Sequence, residues 1–310
     1  MAAPSNGPEE LLISARKVYL GKTTEVARAL PDRDLRMVGA WCFLDHYGPE
    51  DVSRTPGMQV WAHPHTGLQT VSWLLDGEVE HRDSVGSVAR VRPGELHIMT
   101  SGRGIVHSEI SPADKPPMLH GVQLWVALPE AARDTAPRFE SYPDLPRWDR
   151  PGVRGEVLLG ELDGVRSPAH THSPLCGADL SVEPSARVTF AVQPLFEYGL
   201  FVVEGSLTVG GTTAYADQLL YLGTGRDELT IASATGARVI LLGGEPFVEE
   251  IIMWWNFIGR SHEEVVGYRD AWERRDPRFP PVVERGERVM AAPPLPTVPL
   301  KARPSRRVSS

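Results

Sequence analysis

Two histidines one residue apart, His63 and His65 in HPHTGLQT, and a second pair, His107 and Glu109 in GIVHSE, are the residues of this chain best suited to chemistry. On an extended strand, residues i and i+2 point to the same side. Each pair therefore presents two ligand-type side chains on one face. If both strands line one barrel, three imidazoles and a carboxylate converge on its interior. Such a set suits a first-row divalent metal, with iron favoured for oxygen chemistry and zinc, nickel or manganese as alternatives. The competing interpretation is a hydrogen-bonded His/Glu network that holds no metal. Pro64, between the two histidines, cannot donate to a strand ladder and predicts a sheet edge or a bulge. Bulges are common beside active sites.

The remaining histidines offer less. His46 and His81 read as structural or exposed, and His97 as either pocket lining or core. His120 precedes a strand and is a candidate hydrogen-bond support for the metal set. His170 and His172 repeat the HxH spacing and read as a surface strand or domain-interface feature. No Ser/His/Asp or Cys/His nucleophile arrangement stands out, and Gly102 and Gly104 read as turn residues, since no helix follows to make a phosphate loop.

The elements that must position these residues are short. Twenty-nine glycines and 28 prolines punctuate β-branched runs, the pattern of an all-β protein. One pattern recurs: WLLDGEVEH from Trp73 and FVVEGSLTV from Phe201 place Asp76-Gly77 and Glu204-Gly205 at an offset of 128 residues. Each reads as two strands meeting at a tight turn, with glycine supplying the positive φ. The chain thus reads as two barrels on one plan. The same offset carries His63 and His65 onto Ala191 and Gln193, and no histidine lies between His172 and His262, so the second barrel is expected to lack a metal site. One helix is expected over 262–275, where Ser261 and Glu264 form a capping box and Val265, Tyr268 and Trp272 share a face.

The expected division is a flexible terminus at 1–10, a metal-binding barrel at 11–141 and a Pro/Arg-rich linker at 142–152. A second, metal-free barrel follows at 153–290 and carries the helix, and a Pro-rich basic tail over 291–310 is expected to be disordered. Net charge of −8 argues against a general nucleic-acid surface. Cys42 and Cys176 are too few and too far apart for a disulfide framework or zinc knuckle. The N-terminus lacks the apolar run of a secretory signal, and no apolar stretch approaches the roughly 20 residues of a membrane span. A cytoplasmic monomer is the expectation.

Spacing adds a resemblance. Gly57 precedes His63 by five intervening residues and Gly104 precedes His107 by two. This resembles the two motifs of the cupin superfamily, with one departure: the usual first-motif glutamate position holds Gln69 or Thr70. The carboxylate has moved to Glu109, and with that displacement HPHTGLQTVSWLLDGEVEHRDS, RPGELHIMTSGRGIVHSE, HGVQLWVALP and PFVEEIIMWWNFIGRSHEEV resemble the pirin family. The resemblance implies two tandem cupin (jelly-roll-like) β-barrels. It also implies one Fe(II) in the first, held by His63, His65, His107 and Glu109. The family includes quercetin 2,3-dioxygenases, which implies a flavonol-like or enediol substrate and O2, with Glu109 a ligand able to take a substrate proton. It also includes non-enzymatic transcriptional regulators, which leaves open an iron-dependent redox sensor that docks a partner protein. A sugar-type cupin isomerase fits less well, because such sites usually keep the first-motif glutamate. Thr66, where the family commonly has arginine, and His97, where it often has glutamine, put the pocket lining in question.

Overall fold

Between its glycines the chain folds almost entirely into strands, as β-branched and aromatic runs favour. The computed structural model describes residues 9–20, 24–282 and 288–306, which hold 23 strands and one helix. These divide into two units, one drawn from 17–27, 43–143 and 248–310, the other from 1–16, 28–42 and 144–247.

The unit that carries the histidine motifs has two main sheets. Seven strands form the larger, including Trp41–Asp51, Leu68–Asp76, Leu96–Thr100 and Met118–Ala127. The smaller has four, in the order Gln59–His65, Ile105–Ile110, Val79–Asp83 and Val88–Val91. Val26, Tyr47, Val52, Met58, Leu74, Val79, Val91 and Leu119 form an apolar cluster in this unit. The other unit is built around a ten-stranded sheet with an apolar core that includes Trp148, Tyr198, Leu200 and Leu241.

Neither expected hairpin is one. Leu68–Asp76 pairs within the seven-stranded sheet and Val79–Asp83 within the four-stranded sheet, so the chain changes sheets at Gly77. Its counterpart is a single strand, Glu197–Val209, whose register shifts between Val202 and Glu204 and whose two halves pair with different strands. The glycine is still required at both corners. Gly77 has φ +93° and Gly205 φ +75°. A Cβ there would lie 2.4 Å from the Met118 carbonyl oxygen or 2.0 Å from that of Gly236. What reads as a hairpin turn is a strand corner that admits a neighbouring backbone.

The helix spans His262–Glu273, two residues shorter than expected at its end, and Ser261 Oγ accepts from Glu264 N–H at 3.2 Å. Glu264 also takes a bidentate ion pair from Arg133 at 2.9 and 3.0 Å. The helix belongs with the histidine-bearing unit and not with 153–290, because its aromatic face packs there. Val106, Phe257, Tyr268, Ala271, Trp272 and Phe279 form one cluster.

The chain ends also differ from expectation. Residues 1–8 lie outside the described set, but Glu10 opens the strand Glu10–Ser14, which pairs with Gln218–Leu222. In the supposed linker, Trp148 is fully buried in the second core. The expected disordered tail is held along its described part. Ala292 N–H donates to Glu273 Oε1 at 2.9 Å and Arg269 Nε to Pro293 O at 3.0 Å, while Ile251 bridges Arg303. Extended Pro-rich backbone leaves its carbonyls free to accept such bonds. Residues 307–310 lie outside the description.

Candidate metal centre

One face of the four-stranded sheet gathers the site. His63 on the edge strand Gln59–His65 is the direct antiparallel partner of His107 on Ile105–Ile110, and paired residues share a face. Pro64 is tolerated because this strand is a sheet edge. A bulge also sits where expected: the register moves from His63↔His107 to Val60↔Glu109, so Trp61 and Ala62 oppose Ser108. The bulge has a use. Its Trp61 carbonyl lies 2.8 Å from His63 Nδ1, so Nδ1–H donates there and leaves the Nε2 lone pair free.

Three histidines meet. His63, His65 and His107 are buried, and each offers a nitrogen within 4.8 Å of the others. Among the described residues this is the group of side chains able to hold a metal ion. The Nε2 atoms of His65 and His107 face each other at 3.0 Å. Two nitrogens bound at about 2.1 Å and at right angles to each other would also lie about 3.0 Å apart, so the pair fits a divalent ion between them. Burial pushes the His63 imidazole down to about 4 and those of His65 and His107 well below the ordinary histidine range. All three are therefore neutral at pH 7, the form that binds metal.

Glu109 shares the strand face but is not in the compact group. Its Oε1 lies 3.3 Å from Ser72 Oγ, which is also 3.1 Å from Gln123 Oε1. Burial raises the Glu109 carboxyl above its usual range. Tyr47 is pushed up as well, by burial first and then by Glu109. Opposite the histidines stands an aromatic wall: Trp125 meets the His65 ring edge-on at 5.1 Å and stacks on Phe43 at 4.1 Å.

Other residues sort clearly. Of the two residues at the vacated motif position, Gln69 donates to Thr100 Oγ1 at 3.0 Å on the strand face opposite to that of Ser72, whereas Thr70 shares the Ser72 face and pairs in register with Trp125. His97, paired in register with Ser72, is buried with an Nε2 3.5 Å from Glu95. His120 pairs with His46, Nε2 to Nε2 at 2.8 Å, and both are buried. His170 and His172 stack edge-on in an irregular segment, not a strand, with His170 exposed. Sequence reasoning missed Ser72, Gln123 and Tyr47, whose spacing carries no motif, and set aside His81. Yet His81 faces Glu109 directly across the sheet. The period-2 pattern of VEHRD could have placed His81 and Asp83 on one face.

Comparison with known proteins agrees with this geometry. The family model Pirin matches residues 23–126, and the Pirin C-terminal cupin domain matches 177–280. A Pseudomonas aeruginosa protein named "Putative quercetin 2,3-dioxygenase PA1205" is 46% identical over 284 residues, spanning 92% of this chain and 90% of its own. A pirin-like protein of Caulobacter vibrioides is 34% identical over 281 residues, spanning 87% and 95%. The crystal structure of a quercetin 2,3-dioxygenase from Acinetobacter baumannii superposes with a TM-score of 0.90 at 39% identity, covering 94% of this chain and 97% of that one. With both domain models matched in order and relatives spanning nearly its whole length, the chain belongs to the pirin family, a protein of two cupin domains whose first carries a three-histidine group able to hold a metal.

Proposed function

We propose that this protein is an Fe(II)-dependent dioxygenase of the quercetin 2,3-dioxygenase type, acting on a flavonol-like or enediol substrate. The observation that carries the reading is the 3.0 Å approach of two neutral, buried imidazole Nε2 atoms, with a third histidine and a carboxyl on the same sheet face. The Pseudomonas and Acinetobacter relatives, through their names, support the choice of chemistry. Iron(II), when bound by His63, His65 and His107 with Glu109 as fourth ligand, would supply Lewis acidity to a substrate hydroxyl and one-electron chemistry toward O2.

The chain's own residues do the rest. The Trp125–Phe43 stack offers a flat apolar wall beside His65, suited to a planar ring system. Burial of the three imidazoles and of Trp125 excludes water. Glu109 is the candidate proton acceptor for a substrate hydroxyl. Ser72 Oγ at 3.3 Å fixes the orientation of its Oε1.

The test is anaerobic loading with Fe(II), then quercetin and oxygen, following flavonol absorbance and carbon monoxide release. The parent is expected to consume quercetin well above the His63→Ala background. Turnover no greater than that background would end the quercetinase assignment. The partner-docking regulator would instead be indicated by stoichiometric capture of a host protein that is lost on iron oxidation.

A further inference from the structure

The face that carries the three histidines and Glu109 holds two more titratable side chains. His81 stands opposite Glu109 and Asp83 opposite His107 in the strand pair Val79–Asp83 and Ile105–Ile110. His81 is therefore the diagonal neighbour of His107, and its Nδ1 lies 3.4 Å from His107 Nδ1. At the far side of its ring, His81 Nε2 lies 3.0 Å from Asp83 Oδ2. Both residues are buried, at 3% and 2% exposure, so neither bond competes with bulk water. The His81 ring is fixed in its plane by stacking on Phe139, centroids 4.3 Å apart and planes 18° apart. Asp83 is fixed too, its Oδ1 accepting from Val85 and Ser87 N–H at 3.0 and 2.9 Å.

Only one arrangement of protons satisfies this chain with a metal at His107 Nε2. His107 must then carry its proton on Nδ1 and donate it to His81 Nδ1. His81, accepting there, must carry its own proton on Nε2 and donate it to Asp83 Oδ2, which can only accept. We propose that His81 and Asp83 are positioning residues that lock His107 in its metal-binding tautomer and, through the Asp83 charge, raise the donor strength of His107 Nε2. A carboxylate behind a ligating imidazole is a common support for metal sites; here a second imidazole relays it. This inference rests on the metal-centre reading, not on the dioxygenase assignment.

The test is cobalt(II) titration followed by visible absorption, in the parent, Asp83→Asn, His81→Phe and His81→Gln, with thermal unfolding of each apo protein alongside. Asp83→Asn keeps Oδ1 for the turn but sets an N–H against His81 Nε2. That drives His81 to its other tautomer and points two protons at each other between the rings. His81→Phe keeps the stacking on Phe139 and removes the acceptor, whereas the carbonyl of His81→Gln can still accept from His107. Asp83→Asn and His81→Phe are expected to weaken cobalt binding by about 10–100-fold. Glutamine is expected to restore most of it, with apo unfolding midpoints close to the parent's. In iron-loaded protein, loss of the relay should also raise the reduction potential. Affinities within about twofold of the parent in Asp83→Asn and His81→Phe would overturn the proposal. So would losses that merely track apo destabilisation, or a glutamine variant as weak as phenylalanine. Failure of the parent itself to bind cobalt would instead refute the metal centre.

Discussion

At the scale of single residues, the proximity of His63, His65 and His107 is legible in the sequence because period-2 alternation is local. HxH and HxE each fix a face without knowledge of the fold, and the structure brings His63, His65 and His107 together. Glu109 shows the limit of that argument. Sharing a face does not fix a rotamer, and its carboxyl is turned to Ser72, a residue 37 positions away that no local pattern could flag. Its proposed role as base is tested with the three histidines left intact. Glu109→Gln should retain cobalt through the three histidines yet slow quercetin turnover by about 100-fold. An unchanged rate would remove Glu109 from the proton transfer. His81 escapes sequence reasoning for a related reason. A lone histidine in VEHRD looks structural until the strand beside it is known to be the one carrying His107.

At the scale of elements, strands and the capped helix follow from sequence periodicity, but their pairing does not. Asp76-Gly77 carries the residues of a hairpin turn, yet hydrogen-bond partners for Val79–Asp83 come from Ile105–Ile110 and Val88–Val91. A turn signal states that the chain must bend with positive φ; which sheet receives the next strand depends on distant segments. The corner itself is testable. Gly77→Ala should destabilise by about 2–4 kcal/mol, since it adds a left-handed penalty to a Cβ 2.4 Å from the Met118 carbonyl oxygen. Gly86→Ala, at φ +96° with nothing within 4 Å of its Cβ, should cost only about 1–2 kcal/mol. Equal losses in urea denaturation would contradict the close approach of backbone at Gly77. The helix was misassigned to the second barrel for the same reason: sequence order placed it there, whereas aromatic packing on Val106 and Phe257 holds it with the first.

For the whole molecule, the two-barrel plan was visible in the 128-residue repeat, and the matched domain models follow it. Exchange of segments between the units was not visible, because residues 28–42 must be seen packed before their place is known. Gly39 N–H donates to Glu197 Oε1 at 2.6 Å and Tyr221 Oη to Oε2 at 2.7 Å, a buried knot within one unit. Burial raises the Glu197 carboxyl despite those two donors. As pH rises through the ordinary glutamate range toward the raised value, the unfolded chain releases this proton first, so stability falls with pH there. Glu197→Gln should flatten that decline in urea midpoints relative to the parent; identical slopes would show that Glu197 is not perturbed. No helix of the described residues is long and apolar enough to cross a membrane. The central claim remains the metal, and its most direct measurement is elemental analysis of protein purified without added metal, beside His63→Ala treated identically. The account predicts a near-stoichiometric first-row divalent ion in the parent and a large loss in the variant. A metal-free parent that also takes up none on titration, or equal content in both proteins, would contradict it.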